Sequence, residues 1–233
     1  MSVILIQKCF YNAKITNLLI FVKRLRMILE RCCTSLEEVL EAKQNGASRV
    51  ELCTRIDVGG LTPERELIKE AVASGIPVNV LIREREGDFF FSREEVEKMA
   101  DDVRFCRDCG ANAVVVGALR SPLEIDSDAI RLLLAGRGGM KATFHRAFDQ
   151  MEGDPFSALE EIISLGCDTL LTSGRRPTAL QGAELIRQLV VHARGRIAIL
   201  AGSGVCPDNL EELRSRTGAD EFHGTRLCCP KCK

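Results

Sequence analysis

A chain of 233 residues with 45% hydrophobic residues is long enough to bury a large core. Its length suits one domain the size of a single α/β barrel. The formal net charge is −1, and the chain has no tryptophan and one tyrosine. Without a basic stripe or aromatic residues for base stacking, no nucleic-acid partner is expected. A small molecule or a metal ion is the expected partner.

The eleven cysteines do not indicate a secreted disulfide scaffold. Such scaffolds are short and loop-rich, whereas this chain is long and rich in strand and helix patterns. We therefore expect reduced thiols in a cytosolic protein.

The first 26 residues differ from the rest of the chain, because they contain five basic residues and no acidic one. The apolar run at 15–22 is too short to span a bilayer, and no small-residue cleavage site follows it, so no membrane partner is expected. A weak targeting segment, a membrane-surface helix, a packing element and an upstream start artefact are the alternatives, and we favour the last two. Residues 1–26 are thus interpreted as an N-terminal extension and 27–233 as the domain.

From Met27 onward, strand-like runs alternate with helical patterns. Eight runs lie at 28–33, 49–53, 77–83, 113–119, 141–148, 169–173, 196–202 and 221–225, with seven helical patterns between them. Eight strands joined by helical crossovers predict an α/β fold, a TIM-like (β/α)8 barrel. An open doubly wound sheet is the alternative, but no GxGxxG motif follows an early strand.

Capping residues support the predicted helices. Thr34 or Ser35 opens the first helix, and Ser92 opens the third, each followed by glutamates in the first turn. Gly46, Gly110 and Gly166 follow helical patterns shortly before strands, where a left-handed residue ends a helix.

Polar residues recur on one face of the predicted strands. Ala142 and Phe144 alternate with Thr143 and His145, so that a strand here sends the polar pair to the opposite face from the apolar pair. In a barrel, active groups lie at the C-terminal strand ends. Any one of these residues alone could equally well be a structural partner in a buried ion pair. Many polar residues that converge at one end of the barrel favour a functional site. The inward set by alternation is Glu30, Cys32, Glu51, Cys53, Arg83, His145, Glu221 and His223.

Several motifs together resemble the CutC copper-homeostasis family over residues 27–225. They are Val-Glu-Leu-Cys at 50–53, Gly-Gly-Leu-Thr-Pro at 59–63, Gly-Asp-Phe at 87–89, Thr-Phe-His-Arg-Ala-Phe-Asp at 143–149, Leu-Thr-Ser-Gly at 171–174 and Glu-Phe-His at 221–223. The resemblance implies a TIM-like barrel in the cytoplasm that is linked to copper tolerance, with copper bound through cysteines.

The sequence departs from the family pattern after strands three and eight. The family's Arg-Pro-Arg-Gly-Gly-Asp-Phe is Arg-Glu-Arg-Glu-Gly-Asp-Phe at 83–89, which keeps Arg83, Arg85 and Asp88 but adds two acids. The family's final helix is replaced by residues 224–233, so we expect a barrel whose last helix is truncated or missing. The bare face must be covered, either by a helix at about 3–22 or by a subunit interface, giving a homo-oligomer such as a dimer.

Two functions stay open at this point, and the first is copper binding. Cys32 and Cys53 end adjacent parallel strands, whose backbones lie about 4.8 Å apart. Two thiolates at that separation offer a near-linear site for Cu(I), which soft ligands select. The alternative is that both cysteines are small buried apolar residues.

The second function is that of an enzyme with a small anionic substrate, such as a phosphorylated compound. The expected chemistry is of the isomerase, epimerase or aldol type. Glycines after strands seven and eight lie where barrels bind phosphate. Arginines are expected to clamp the anion, while His145 and Glu30 or Glu51 exchange protons. The catalytic candidates are His145, Glu30, Glu51 and Asp149, and the ligand-binding candidates are Arg83, Arg85, Asp88, Arg146, Ser173, Gly202, Gly204 and His223.

Overall fold

Eight parallel strands close into a barrel in the computed structural model, which describes residues 27–229. A two-stranded hairpin, β5 and β6, lies outside the barrel. Around the barrel the order is β1-β10-β9-β8-β7-β4-β3-β2. The strands are β1 Ile28–Cys33, β2 Arg49–Leu52, β3 Val78–Leu81, β4 Ala113–Val116, β5 Leu119–Ser121, β6 Glu124–Ile125, β7 Lys141–Phe144, β8 Thr169–Thr172, β9 Ala198–Gly202 and β10 Glu221–Gly224.

Helices connect successive barrel strands and cover them from outside. Apolar residues such as Val80, Phe144 and Phe222 face these helices and form the main core. The α-helices of the described residues are α1 Leu36–Gln44, α2 Arg65–Ala73, α3 Arg93–Cys109, α4 Ser127–Ala135, α5 Pro155–Ser164, α6 Ala183–Ala193 and α7 Leu210–Thr217, and short 3₁₀ helices lie at Ile56–Val58, Arg146–Gln150 and Pro207–Asn209.

The predicted barrel is confirmed, and so are the helix ends predicted from the capping serines and glycines. Ser35 Oγ accepts a hydrogen bond from the N–H of Glu38 at 3.2 Å, and Ser92 forms a reciprocal capping box with Glu95. Gly46, Gly110 and Gly166 have φ values of 80°, 82° and 82°, as a left-handed helix end requires.

Two strands end three or four residues earlier than the sequence predicts. The fourth stops at Val116, and the chain then forms the β5–β6 hairpin. The fifth stops at Phe144, because the N–H of Ala147 turns back to His145 Nδ1 at 3.1 Å and begins a 3₁₀ helix. The apolar residues of this 3₁₀ helix continue the run, and periodicity alone cannot separate short apolar elements.

The chain turns back on itself after β10. Residues 225–228 form a turn in which Leu227 is buried, and no helix follows β10 within residues 27–229. On the outer face of β1, Arg31 donates to Glu41 Oε2 and to the carbonyl of Cys228, both at 3.3 Å. The barrel thus lacks its last helix over the described residues, as expected. The predicted covering helix at 3–22 lies outside them.

Candidate functional site

A buried ionic cluster fills the lower half of the barrel. Glu30 is 1% exposed, and its Oε2 accepts hydrogen bonds from Arg49 Nε and, at 2.8 Å, from Asn79 Nδ2. Its Oε1 accepts from His223 Nδ1 at 2.8 Å. Arg49 also donates from Nη2 to Glu221 Oε2 at 2.8 Å. Glu30 therefore joins side chains of β1, β2, β3 and β10, and every one of its hydrogen bonds comes from a fixed neighbour.

The charge state of this cluster follows from its contacts. Burial alone would raise the pKa of Glu30, but the hydrogen bond from His223 and the charge of Arg49 lower it to about 2. Burial would lower the pKa of His223, but Glu51 and Glu30 raise it to about 9. At neutral pH, Glu30 is thus an anion and His223 a cation. Glu30 positions His223 and is not free to move a proton.

Glu51 lies above Glu30 and His223, and one of its carboxylate oxygens accepts no hydrogen bond from the described residues. His223 Nε2 lies 3.8 Å from Glu51 Oε1, while Glu51 Oε2 is buried and has no hydrogen-bond partner among the described residues. Burial raises the pKa of Glu51 to about 7, although the charge of His223 opposes the shift. A carboxyl group with this pKa can both accept and give up a proton at neutral pH.

Two thiols lie beside Glu51 at the same level of the barrel. The Sγ atoms of Cys32 and Cys53 are 3.5 Å apart, and the two residues are 7% and 1% exposed. The hydrogen bond to Cys53 and burial both raise the pKa of the Cys32 thiol well above its usual range. The Sγ atoms and a carboxylate oxygen of Glu51 all lie within 4.8 Å of one another.

An open cavity of about 640 Å³ rises from these groups to the C-terminal mouth of the barrel. This volume is in the range of small-molecule sites. Cys32, Glu51, Cys53 and His223 line its inner part. Loops after β2, β3, β7, β8, β9 and β10 form its wall, as the barrel fold predicts for a site.

His145 lies in the wall of the cavity as a neutral group. Burial and the charge of Arg83 lower its pKa to about 3. Because Nδ1 accepts the N–H of Ala147, the proton is on Nε2, which has no acceptor among the described residues. The ring fits only because Gly117 has no side chain, since a Cβ there would lie 2.4 Å from it.

Asp149 organises the loop after β8. It accepts five hydrogen bonds, from the hydroxyl of Thr172, from the N–H and hydroxyl of Ser173, from the N–H of Arg175 and from Arg146 Nε. Asp149 thus holds the loop after β8 in place at the mouth of the cavity, and Ser173 belongs to the same hydrogen-bond network.

Arg83 connects two loops of the cavity wall. Nη1 donates to the carbonyls of Val58 at 3.0 Å and Gly60 at 3.2 Å, and Nη2 donates to that of Gly87 at 2.7 Å. Its guanidinium carbon lies 4.7 Å from the centre of the Phe89 ring. These contacts occupy most of the donors that would clamp an anion, so Arg83 chiefly shapes the cavity.

The predicted site residues divide into two groups. Cys32, Glu51, Cys53, Arg83, His145, Arg146, Asp149, Gly204 and His223 line the cavity, whereas Glu30, Arg85, Asp88, Ser173 and Gly202 do not. Arg85 is paired with Asp88 and Glu95 on the outer side of its loop. A Cβ on Gly202 would lie 2.5 Å from Leu171, so this glycine serves packing.

Sequence reasoning missed Phe89, Arg175 and Arg176, which also line the cavity. The Arg-Arg pair directly follows the Leu-Thr-Ser-Gly motif at the end of β8. Its position after a strand end was the available signal, because charged residues there reach a barrel's mouth.

The CutC family profile matches residues 27–228. The chain belongs to the CutC family. A CutC family protein of Xylella fastidiosa (strain Temecula1) is 46% identical over 84% of this chain and 74% of its own length. A solved structure from Streptococcus agalactiae, which carries the name copper homeostasis protein CutC, is 33% identical, covers 86% of this chain and 99% of its own, and has a TM-score of 0.82.

Similarity of fold extends beyond the CutC family. The aldolase QR15 superposes with a TM-score of 0.64 at 16% identity, over 86% of this chain and 90% of its own. At this identity the likeness shows the barrel fold alone. Among residues 27–229 of this CutC family member, no helix is both long and apolar enough to cross a bilayer.

Replacing Glu30 with alanine is expected to destabilise the fold by about 3–5 kcal/mol, because Arg49 and His223 lose the carboxylate that they share. Urea denaturation measures this effect. As a matched control, Glu66→Ala removes an exposed carboxylate paired with Lys69, and is expected to change the free energy of unfolding by about 0.5 kcal/mol or less. Equal effects of the two substitutions would contradict the assigned role of Glu30.

Stability is also expected to depend on the ionisation of His223. Its pKa is about 9 in the folded protein against an ordinary 6.5, so its stabilising contribution is complete below pH 6.5 and disappears as the pH rises through 9. Denaturation curves should therefore show the free energy of unfolding falling over this range. The decline should be smaller in His223→Asn. An identical decline in the variant would show that another group causes it.

Proposed function

We propose that this CutC family member binds Cu(I) as its cargo through Cys32 and Cys53. The observation that carries the proposal is the 3.5 Å separation of the two Sγ atoms beside an open cavity. Thiolates select Cu(I) over harder metal ions. The name of the Streptococcus agalactiae relative, which refers to copper homeostasis, supports the same assignment.

The residues fit a soft metal ion after a small movement. If the zinc–thiolate bond length of about 2.3 Å is taken as a guide, two sulfurs on opposite sides of a metal ion stand about 4.6 Å apart. The thiols, now 3.5 Å apart, must therefore separate by about 1 Å. Leu81 and Val115 pack around them, so the pair lies in an apolar environment with the Glu51 carboxyl group at its side.

Protons must leave when the metal ion binds. The Cys32 thiol keeps its proton in the metal-free protein, because the Cys53 hydrogen bond and burial raise its pKa. Metal binding to thiolates releases these protons. Glu51 lies close enough to receive one, since one of its carboxylate oxygens belongs to the same group of atoms.

Anaerobic Cu(I) titration against a competing chelator tests the proposal. Cys32→Ser and Cys53→Ser are each expected to weaken binding by about 100-fold or more, because each removes one of two ligands. His145→Ala is expected to leave binding unchanged. Cys228, Cys229 and Cys232 are replaced by serine in every protein, so that the C-terminal thiols do not contribute.

Cys109→Ser is the matched control, because Cys109 is a half-buried cysteine on α3 that does not line the cavity. Its affinity for Cu(I) should equal that of the parent protein. Binding that survives replacement of both Cys32 and Cys53, in proteins shown by circular dichroism to be folded, would refute the proposal.

A second candidate function is acid–base catalysis on a small anionic substrate, of the isomerase, epimerase or aldol type. The observation that favours it is Glu51, whose pKa is raised to about 7 and which lines a cavity far larger than a metal ion needs. His223, positioned by Glu30, lies next to it. Glu51 would move the proton, while the neutral His145 donates from Nε2 to a developing negative charge.

Proton exchange in deuterium oxide tests this second function. Small carboxylic and phosphorylated acids that carry a C–H next to a carbonyl are incubated with the protein and followed by NMR. Loss of the C–H signal with the parent protein but not with Glu51→Gln is the expected result. Exchange that is equal in the two proteins, or exchange with neither, would argue against Glu51 as the base.

A further inference from the structure

The cavity has an excess of positive charge. Five arginines and two carboxylates line it, although the whole chain has a formal net charge of −1. The imbalance lies at the mouth, where the loops after β7, β8 and β10 meet. A concave wall of one sign attracts ions of the opposite sign. The arginines are Arg83, Arg146, Arg175, Arg176 and Arg226, and the carboxylates are Glu51 and Asp149.

The two carboxylates do not neutralise all of these arginines. Asp149 forms an ion pair with Arg146, at 2.9 Å, and its other hydrogen bonds come from Thr172, Ser173 and a backbone N–H. Glu51 lies deeper, beside His223. Arg175 forms no ion pair within 4 Å among residues 27–229, and the charges of Asp149 and Asp154 act on it only from a greater distance.

Arg175 has one edge whose N–H groups have no hydrogen-bond partner among the described residues. Its Nη1 donates to the carbonyl of Gly153, and its guanidinium carbon stacks 4.7 Å from the centre of the Phe148 ring. Nε and Nη2 are buried and have no acceptor within the described part of the chain. These two N–H groups form the side of the guanidinium that binds both oxygens of a carboxylate or phosphate.

The loop holds Arg175 in place for this purpose. Its backbone lies in the left-handed region at φ 56°, which a residue with a side chain adopts only when its surroundings impose it. The N–H of Arg175 donates to Asp149 Oδ1 at 3.1 Å. Asp149 thereby fixes the backbone, while Phe148 and Gly153 fix the side chain. Arg176, the next residue, is exposed at the rim of the cavity.

We propose that the cavity binds a small organic acid, whose oxyanion group accepts hydrogen bonds from Nε and Nη2 of Arg175 after a small movement of the side chain exposes this edge to the cavity. Arg176 adds positive charge at the rim. The oxyanion is a carboxylate or a phosphate, since both present two oxygens to such a fork. This inference rests on the second proposed function, because it supplies the anchor for that function's substrate. It does not depend on the cysteines.

Thermal shift and calorimetry on the metal-free protein test the anchor, with inorganic phosphate and malonate as probes at constant ionic strength. Binding to the native state raises the melting temperature. Arg175→Gln is expected to weaken binding by about tenfold or more, and Arg175→Lys to weaken it too, because lysine keeps the charge but lacks the fork. Arg176→Gln should have a smaller effect in the same direction.

Arg216→Gln is the matched control, because it removes an exposed arginine from α7, away from the cavity. Binding of either probe that depends on Arg175 supports the inference, and the stronger probe identifies the oxyanion. Binding that is unchanged in both Arg175 variants would overturn the inference and leave the second function standing. No binding of either probe would overturn both. If Arg175→Gln fails to fold, Arg175→Lys decides.

Discussion

The carboxylate of Glu30 is the constraint on which the rest of the structure depends. It lies inside the barrel, 1% exposed, and accepts hydrogen bonds from side chains of three other strands. Two of these donors belong to Arg49 and His223, which are cationic at neutral pH, so the anion is compensated where it is desolvated. The cluster also connects β1 to β10, the two strands that close the barrel.

The same cluster determines the chemistry above it. Glu30 fixes the orientation of His223 by accepting a hydrogen bond from its Nδ1–H group. The other ring nitrogen, Nε2, is then directed toward Glu51. Glu51 then lies between a cation below and two thiols beside it. The cavity therefore has two chemically different ends. Its inner end offers soft sulfur ligands and a carboxyl group, whereas its mouth offers guanidinium groups. A soft cation suits the first end and an oxyanion suits the second.

Much of the fold could be predicted from the sequence, because its signals are local. Strand alternation, the Ser92 capping box and glycines such as Gly110 each act within a few residues. Alternation also predicts that Cys32 and Cys53 face inward, since side chains on a strand change faces at every residue. The strand that begins at Lys141 was predicted too long, because the apolar residues of the following 3₁₀ helix continue its apolar pattern.

The contacts of individual site residues could not be predicted in this way. Arg83 and Asp149 are both polar residues near strand ends, and the sequence treats them as ligands or catalysts. In the structure, Arg83 donates to the carbonyl of Val58, 25 residues away, and Asp149 accepts from the N–H of Ser173, 24 residues away. Arg175 was missed for the same reason, since its free edge follows from how Phe148 and Gly153 hold it. Loop geometry decides which donors remain free.

The central claim is that inward side chains of adjacent strands form a two-sulfur site at the inner end of the cavity. Copper K-edge X-ray absorption on the anaerobic Cu(I)-loaded protein, with Cys228, Cys229 and Cys232 replaced by serine, tests it directly. The account predicts one copper per chain with a shell of two sulfur neighbours, and loss of this two-sulfur shell in Cys53→Ser. A copper site with the same sulfur shell in the absence of Cys53, or one bound mainly by nitrogen, would contradict it.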